Sequence, residues 1–573
     1  MSASVSSRIL LSWKDLSVSV PSTQGGPSRS FVQNVSGYAE PGSLLAIMGP
    51  SGGGKSTLLN ALAGRLGSAT IDSGEILVSG RRQRLSYGNA AKVMQDDALI
   101  GTLTTYETLA YSAHLQLPDA MSVVEKEQRV QDAIREMGLQ ECANTPVGSW
   151  YINGLSGGQK RRLTIAIETL KKRALLFLDE PTSGLDSAAA LHVTKRLLTL
   201  AESERTLVVS IHQPSTQEFF DLSGFPCPSY RNPADHFLWV INSDFDTEAE
   251  DEEQGSKRVS NKSKSLIKAY IGSDIRKAMI AKIRHATQKE GNIITKDDGD
   301  KVSTMKQTFY LAARSFTNMR RDIAYYWFRL FIYIMLSICV GTIYYKVGHS
   351  YDAIQSRAGM FIFVTAFLTY MGVASFPSFI EDMKIFTRER LNGHNGATIF
   401  VIANFLSAFP FVLLLAIIPG TILYEMGGLH PGFDHYICFI ITLIATLSVE
   451  ESLLAAISAV APDFLTGMIA GCGVMGIYPL NGGFFRLIRD LPKPVWRYPL
   501  SYIFDMYIEY SKWWPVFVLV CMAFTYRVMF LLLIKLKEIL PSLIMKMRAT
   551  KKMVDRASSG RFVIKEICKK AKH

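Results

Sequence analysis

Three short segments carry residues whose types and spacing suit phosphate chemistry. Gly49-Pro50-Ser51-Gly52-Gly53-Gly54-Lys55-Ser56, followed by Thr57, fits the pattern G-x-x-x-x-G-K-S. Glycines so spaced let backbone N–H groups approach phosphate oxygens, and the helix N-terminus behind them favours anionic charge. Lys55 is expected to reach the outer phosphates of a nucleotide and Ser56 to ligate Mg²⁺. The second segment, Leu175-Leu176-Phe177-Leu178-Asp179-Glu180, is an apolar run ending in two carboxylates. A buried strand would deliver them to the carboxyl end of a sheet, where ligands of open α/β folds sit. Asp179 is then expected in the Mg²⁺ shell and Glu180 beside an attacking water. The third segment is Leu155-Ser156-Gly157-Gly158-Gln159-Lys160. A Ser and two Gly before a helical stretch make another N-terminal anion site or, taken alone, a helix cap.

These segments need a scaffold. Ser43–Met48, Gly74–Val78, Leu175–Leu178 and Thr206–Ile211 read as strands, and Thr57–Leu66 and Lys160–Leu170 as helices. The alternation predicts an α/β domain with a largely parallel sheet. An acidic run within 244–264, followed by a Ser- and Lys-rich stretch, reads as a solvated linker. Lys301–Asp322 has helical spacing and carries Lys306, Arg314, Arg320 and Arg321. Two placements stay open for it, along a membrane surface or as an ordinary surface helix.

Composition divides the chain. Of 573 residues, 48% are apolar and 20% charged, which excludes a disordered chain. Six apolar stretches approach or exceed the about 20 residues that a helix needs to cross a bilayer. They are Ile323–Tyr345, Ala358–Ile380, Ala397–Tyr424, Tyr436–Pro462, Phe464–Phe485 and Trp513–Ile534. Met1–Gly26 lacks the basic start and apolar run of a secretory signal. Both termini are therefore expected in the cytosol. The basic loop holding Lys384, Arg388 and Arg390 and the basic tail beyond Lys546 support that orientation. The net charge of +12 fits the same bias and makes nucleic acid a poor first choice of partner. Glu450 and Glu451 fall inside the fourth stretch. Three readings stay open for them: a polar path, a pair with Arg527, or a place near the interface. The seven cysteines are scattered and read as unpaired thiols.

The order P-loop, Ser-Gly-Gly segment and Asp-Glu strand resembles ATP-binding cassettes. Gln95 in Val93-Met94-Gln95-Asp96-Asp97 resembles the family's Q-loop glutamine. Gly184-Leu185-Asp186 resembles the D-loop, and His212 the switch histidine. A cassette ahead of six spans resembles the half-size, white–brown members of the G subfamily of ABC transporters. Gly224-Phe225-Pro226-Cys227-Pro228 resembles the segment that joins cassette to membrane, and Ile241-Asn242-Ser243-Asp244-Phe245-Asp246 and Arg388-Glu389-Arg390-Leu391-Asn392-Gly393-His394 look most like plant members that export cuticular lipids.

That resemblance implies an α/β P-loop nucleotide-binding cassette followed by an all-α six-helix transmembrane domain. The implied domains are a cassette at 1–243, a linker at 244–300, a connecting helix at 301–322, a membrane domain at 323–535 and a basic cytosolic tail at 536–573. ATP would be held by Gly49–Thr57 and Asp186, and by Ser156, Gly157 and Gly158 of a second cassette. Mg²⁺ would be held by Ser56, Gln95 and Asp179, with Glu180, His212 and Gln95 as catalytic residues. The implied activity is ATP hydrolysis driving export of waxes, cutin precursors or sterol-like molecules across the plasma membrane. With one cassette per chain, a homodimer or a heterodimer with another half-transporter is required. The partners implied are membrane lipid and a lipidic substrate, not nucleic acid.

Two stretches depart from the family. Phe220-Asp221-Leu222 runs almost directly into Ser223-Gly224-Phe225, where the family has further cassette structure. Only Arg486–Lys512 separates the last two apolar stretches, where the family has a sizeable external segment. These gaps motivate an alternative: a transport-deficient half that regulates a partner by dimerising with it.

Overall fold

The computed structural model describes residues 8–20, 29–67, 69–83, 85, 89–149, 151–211, 265–288, 302–345, 347–348, 350–480 and 513–540. Four strands form a parallel sheet in the order β3-β8-β7-β6. They are β3 (Leu44–Met48), β6 (Ala91–Val93), β7 (Leu175–Leu178) and β8 (Thr206–Ile211). β7 is apolar at every position because both faces of this sheet are covered. Leu176 and Leu178 pack on one side with Leu163, Ala166 and Val193. Leu175 and Phe177 pack on the other with Leu59, Leu62 and Val208. The two-residue period of the strand divides one apolar run between two cores.

The expected parallel sheet is half of the β structure. A second, antiparallel sheet has the order β2-β1-β4-β5. It comprises β1 (Leu11–Val20), β2 (Arg29–Ala39), β4 (Thr70–Val78) and β5 (Arg81–Arg82). Its inward residues Leu11, Trp13, Leu16 and Val18 alternate with polar ones and close over α1 (Lys55–Leu62). The long N-terminal strands were missed because Ser, Lys, Asp and Gln interrupt their apolar pattern. Helices α2 (Thr105–Gln116), α3 (Val123–Met137), α4 (Gly157–Thr169) and α5 (Ser187–Glu202) complete the domain. α2, α3 and α4 each begin with a capping box, on Thr104, Ser122 and Ser156.

Part of the stretch expected to be linker is helical. α6 (Asp274–Gln288) packs against β1 and β2, with Lys282 reaching Glu40 and the Tyr38 ring. α7 (Thr304–Arg321) covers the stretch expected either along a membrane surface or as an ordinary surface helix. It lies between α2 and a long apolar helix, and its Leu311, Arg314 and Met319 are buried.

Beyond it come α8 (Phe328–Ile343), α9 (Tyr351–Gly372), α10 (Phe376–Leu391), α11 (Ala397–Met426), α12 (Phe433–Val460), α13 (Phe464–Leu480) and α14 (Trp514–Leu540). Among the described residues, α11, α12 and α14 are long and apolar enough to cross a membrane, and two shorter apolar helices lie at Phe328–Ile343 and Phe464–Gly476. The second apolar stretch is not one helix. A 3₁₀ turn at Val373–Ser375 separates α9 from α10. Pro377 has no N–H to give to the carbonyl four residues earlier. Gly372 lies so close to Glu450 that a Cβ would overlap the carboxylate.

In the bundle, Arg329 of α8 reaches Glu450 at 3.4 Å and Glu451 at 3.5 Å, and it donates to the Tyr333 hydroxyl. Arg527 instead donates to Ser452 Oγ and Asn404 Oδ1. The buried glutamates thus have an arginine partner, but it comes from the first apolar stretch rather than the sixth. Cys142, Cys339, Cys472 and Cys521 are free thiols. Cys227, Cys568, His212, the acidic run, both departures from the family pattern and the basic tail beyond 540 lie outside the described residues.

Candidate nucleotide site

β3 ends at Met48, and the chain turns through the glycines into α1. Gly54 caps that helix with φ of 83°, and a Cβ there would stand 2.6 Å from the Phe31 carbonyl oxygen. Both the left-handed backbone and the close approach require glycine. Ser51, Gly52 and Gly53 are exposed at the mouth of the loop, and Thr57 is half-buried in the first turn of α1. Lys55 is buried beneath them, with Nζ donating to the Gly49 and Pro50 carbonyls at 2.9 Å each. Burial pushes its ammonium below the usual lysine value, while Glu180 and Asp179 pull it back up.

Ser56 Oγ donates to Asp179 Oδ1 at 2.8 Å. The parallel sheet makes that contact: β7 carries Asp179 past the end of β3, and α1 begins there. Ser210, at the end of β8, donates to the same carboxylate oxygen at 2.9 Å and accepts from the Glu180 N–H. Glu180 adopts φ of 45°, an uncommon conformation for a residue with a side chain. Gln95 Nε2 donates to Glu180 Oε2 at 3.0 Å. A hydroxyl and a carboxylate in contact are hard oxygen donors, and an ion between them would complete its shell from water or phosphate oxygens, as Mg²⁺ does. The residues present therefore fit a magnesium nucleotide.

The Ser-Gly-Gly segment makes a separate group. Ser156 caps α4 and Asp186 caps α5, accepting from Ala189 N at 2.8 Å. Gly158 faces Ala189 so closely that a Cβ would come within 2.8 Å of it. Ser156 and Gly157 are exposed. The structure thus brings Lys55, Ser56, Gln95, Asp179 and Glu180 together and groups Ser156, Gly157, Gly158 and Asp186 at the starts of α4 and α5, with Ser156, Gly157 and Asp186 exposed and Gly158 buried against Ala189.

Three residues of this region escaped the sequence reading. Arg161, buried on α4, donates to the Gln95 carbonyl at 3.1 Å, the Asp179 carbonyl at 2.6 Å and Asp97 Oδ1 at 3.1 Å. It ties the helix behind Ser156 to both segments facing the P-loop. Ser210 is the second. Lys92 is the third: its Nζ lies 3.3 Å from Asp179 Oδ2. Burial pushes Lys92 below the usual lysine value, with Asp179 opposing the shift. The one available signal was a charged residue at the centre of an apolar strand.

The helical domain reaches this edge directly. Asn392 Oδ1 accepts from Lys92 N at 3.0 Å, and its Nδ2 donates to Lys92 O at 3.0 Å. Among the described residues β6 is one of the two outer strands of its sheet, and the amide of Asn392 bonds to its edge. Arg65 and Arg173 also donate to Asn392. His394 Nε2 stands 3.4 Å from Glu168 Oε2, both buried. Arg314 pairs with Glu389, and Arg321 makes two bonds to Glu107, at 2.6 and 2.8 Å.

Comparison with known proteins agrees with this arrangement. Residues 32–183 match the family described as ABC transporter, and residues 306–511 match the ABC-2 type transporter family. The chain is 45% identical to "ABC transporter G family member 11" of Arabidopsis thaliana, over 92% of this chain and 86% of that one. It is 44% identical to "ABC transporter G family member 1" of Petunia hybrida, over 93% and 92%. It is 32% identical to the broad substrate specificity ATP-binding cassette transporter of Rattus norvegicus, over 75% and 72%. The first two aligned stretches, 606 and 589 residues, are longer than the 573 residues here, so those relatives carry segments that this chain lacks. With a P-loop meeting an Asp-Glu strand at one end of the chain and apolar helices at the other, this protein belongs to the G family of ABC transporters, ATP-driven exporters that work across membranes.

Proposed function

We propose that this chain is a half-transporter that exports lipidic molecules, such as waxes, cutin precursors or sterol-like compounds, across the plasma membrane as a dimer. The observation that carries the dimer is the presence of two exposed segments: Ser51–Gly53 over the buried Lys55 and Asp179 in one, Ser156 and Gly157 in the other. A second cassette turned head to tail would bring its Ser156–Gly158 over the P-loop. Support for apolar cargo comes from the large side chains exposed on the apolar helices, among them Phe361, Phe363, Phe405 and Phe524.

The proposed roles follow from the contacts. Gly49–Gly54 offer backbone N–H groups to the phosphates, and Lys55 neutralises their charge. Ser56 and Asp179 hold Mg²⁺, with Gln95 beside them. A bound metal would draw off charge developing on the transferred phosphoryl group. Glu180 orients the attacking water, and Gln95 holds Glu180 in place. His212 is proposed as the γ-phosphate sensor after β8, and Asp186 as the residue that sets the edge facing the partner cassette. The proposed units remain 1–243, 244–300, 301–322, 323–535 and 536–573, with both termini cytosolic.

One observation favours the second reading, a regulatory half that does not transport. The aligned relatives are longer than this chain. The deciding experiment is ATPase activity of the full chain in lipid nanodiscs, wild type against Glu180→Gln. Activity in the wild type that falls by about a thousandfold in the variant supports the exporter, because the barrier loses several kcal/mol of stabilisation. Folded, dimeric and inactive wild type overturns it in favour of the regulatory half.

A further inference from the structure

Lys92 occupies a place that the nucleotide chemistry leaves unexplained. It is buried, it sits on the outermost strand of the parallel sheet, and it sends its ammonium inward to Asp179. Asp179 Oδ1 is taken by the Ser56 and Ser210 hydroxyls, and Lys92 stands at Oδ2. The Asn60 side-chain amide oxygen, Oδ1, accepts a second bond from the same ammonium, so its position is fixed from two sides. The backbone of Lys92 is fixed from a third. Both its N–H and its C=O are bonded to the side-chain amide of Asn392, a residue of the helical domain 300 positions away. A continuous path therefore runs from the segment after α10, through one residue, to the carboxylate at the mouth of the P-loop.

We propose that Lys92 is a positioning residue, a resident cation that shares Asp179 with Mg²⁺ and is held there by the docked Asn392. The inference rests on the reading of Ser56 and Asp179 as the metal-holding pair. Its physical content is a competition. Two cations on one carboxylate repel each other, and in a partly buried site water screens that repulsion poorly. Lys92 thus raises the Mg²⁺ concentration needed to load nucleotide, and it supplies part of the missing charge when no metal is present. Because Asn392 clamps the strand, the metal requirement reports whether the helical domain is docked.

The test is binding of a fluorescent ATP analogue to the full chain in nanodiscs, titrated with Mg²⁺ and repeated in EDTA. Wild type, Lys92→Met, Lys92→Arg, Asn392→Ala and the double variant Lys92→Met/Asn392→Ala are compared, with thermal unfolding as a check of folding. Lys92→Met is expected to lower the half-saturating Mg²⁺ concentration by about tenfold and to weaken binding in EDTA, in the range typical of coupled sites. Lys92→Arg keeps the charge and stays near wild type. Asn392→Ala moves in the same direction by less, and the double variant matches Lys92→Met alone because the two act through one contact. An unchanged or higher Mg²⁺ requirement in folded Lys92→Met overturns the proposal, as does full additivity of the two changes. Nucleotide binding indifferent to Mg²⁺ in the wild type itself would overturn the metal-site reading first, and the proposal with it.

Discussion

At the end of β7, Asp179 and Glu180 meet Ser56, Lys92, Gln95 and Ser210 beside an exposed glycine loop. In the helical bundle, Arg329, Glu450 and Glu451 meet one another with Tyr333, all of them buried. Both regions gather charges that would cost several kcal/mol if left alone in a low-dielectric interior. They dispose of them differently. The cassette sets its carboxylates at the carboxyl end of its parallel sheet, where a metal and phosphates can complete the partnership. The bundle closes its charges on themselves, with a single arginine between two glutamates. Charge in the first place is an invitation to a ligand, and in the second it is a clasp between α8 and α12.

The comparison is easiest to break at the clasp. Arg329→Ala leaves two buried glutamates without their cation and is expected to cost about 3–5 kcal/mol. Yield and thermal midpoint in detergent should fall sharply, while ATP turnover per folded molecule stays near wild type. Near-normal stability with lost turnover would place the cluster on a functional path instead.

A smaller effect is expected where the two domains meet. Burial alone would push Glu168 up, but His394, Arg173 and Arg388 outweigh it and hold the carboxyl at about 2. A folded value below the model-peptide value of 4.5 contributes stability that is present above about pH 4.5 and lost as pH falls towards 2. Glu168→Gln removes that contribution, on the order of 3 kcal/mol at most. The variant should be less stable at neutral pH and show a flatter stability profile between pH 4.5 and 2 in acid unfolding followed by tryptophan fluorescence. A profile parallel to wild type would show that Glu168 does not anchor the interface.

The smallest effect belongs to Arg321 and Glu107, which pair at the rim where both are partly exposed. Arg321→Ala is expected to change the thermal midpoint by no more than about 1 kcal/mol in equivalent stability, because water screens such a pair. The effect should shrink further in high salt. A loss comparable to that of Arg329→Ala would erase the distinction between rim and core.

The nucleotide edge was the most legible part of the chain. A P-loop, an apolar strand ending in acids and a Ser-Gly-Gly cap are local patterns, each set by what a few consecutive residues must do with their backbone. Gly54 shows why: its φ and its contact with Phe31 admit no other residue, so the requirement is written at that position. The strands and helices that flank these motifs fell within a few residues of expectation for the same reason. The antiparallel sheet was less legible, because Lys14 and Asp15 break the apolar rhythm of β1 where it meets water. The broken second stretch needed Pro377 and Gly372 to be read together with Glu450 on another helix.

The sequence by itself determined that the chain carries a phosphate-binding loop, a carboxylate strand and a set of apolar helices, since each is an arrangement of neighbours along the backbone. Tertiary structure alone decided the partners of the buried charges. Lys92 with Asp179, Arg161 with the Asp179 carbonyl, Asn392 with the β6 edge and Arg329 with Glu450 join residues from 18 to 300 positions apart. Nothing in the spacing of those residues chooses among possible partners. Burial does, because a charge or an open strand edge removed from water must find its counterpart wherever the packed chain brings one within reach.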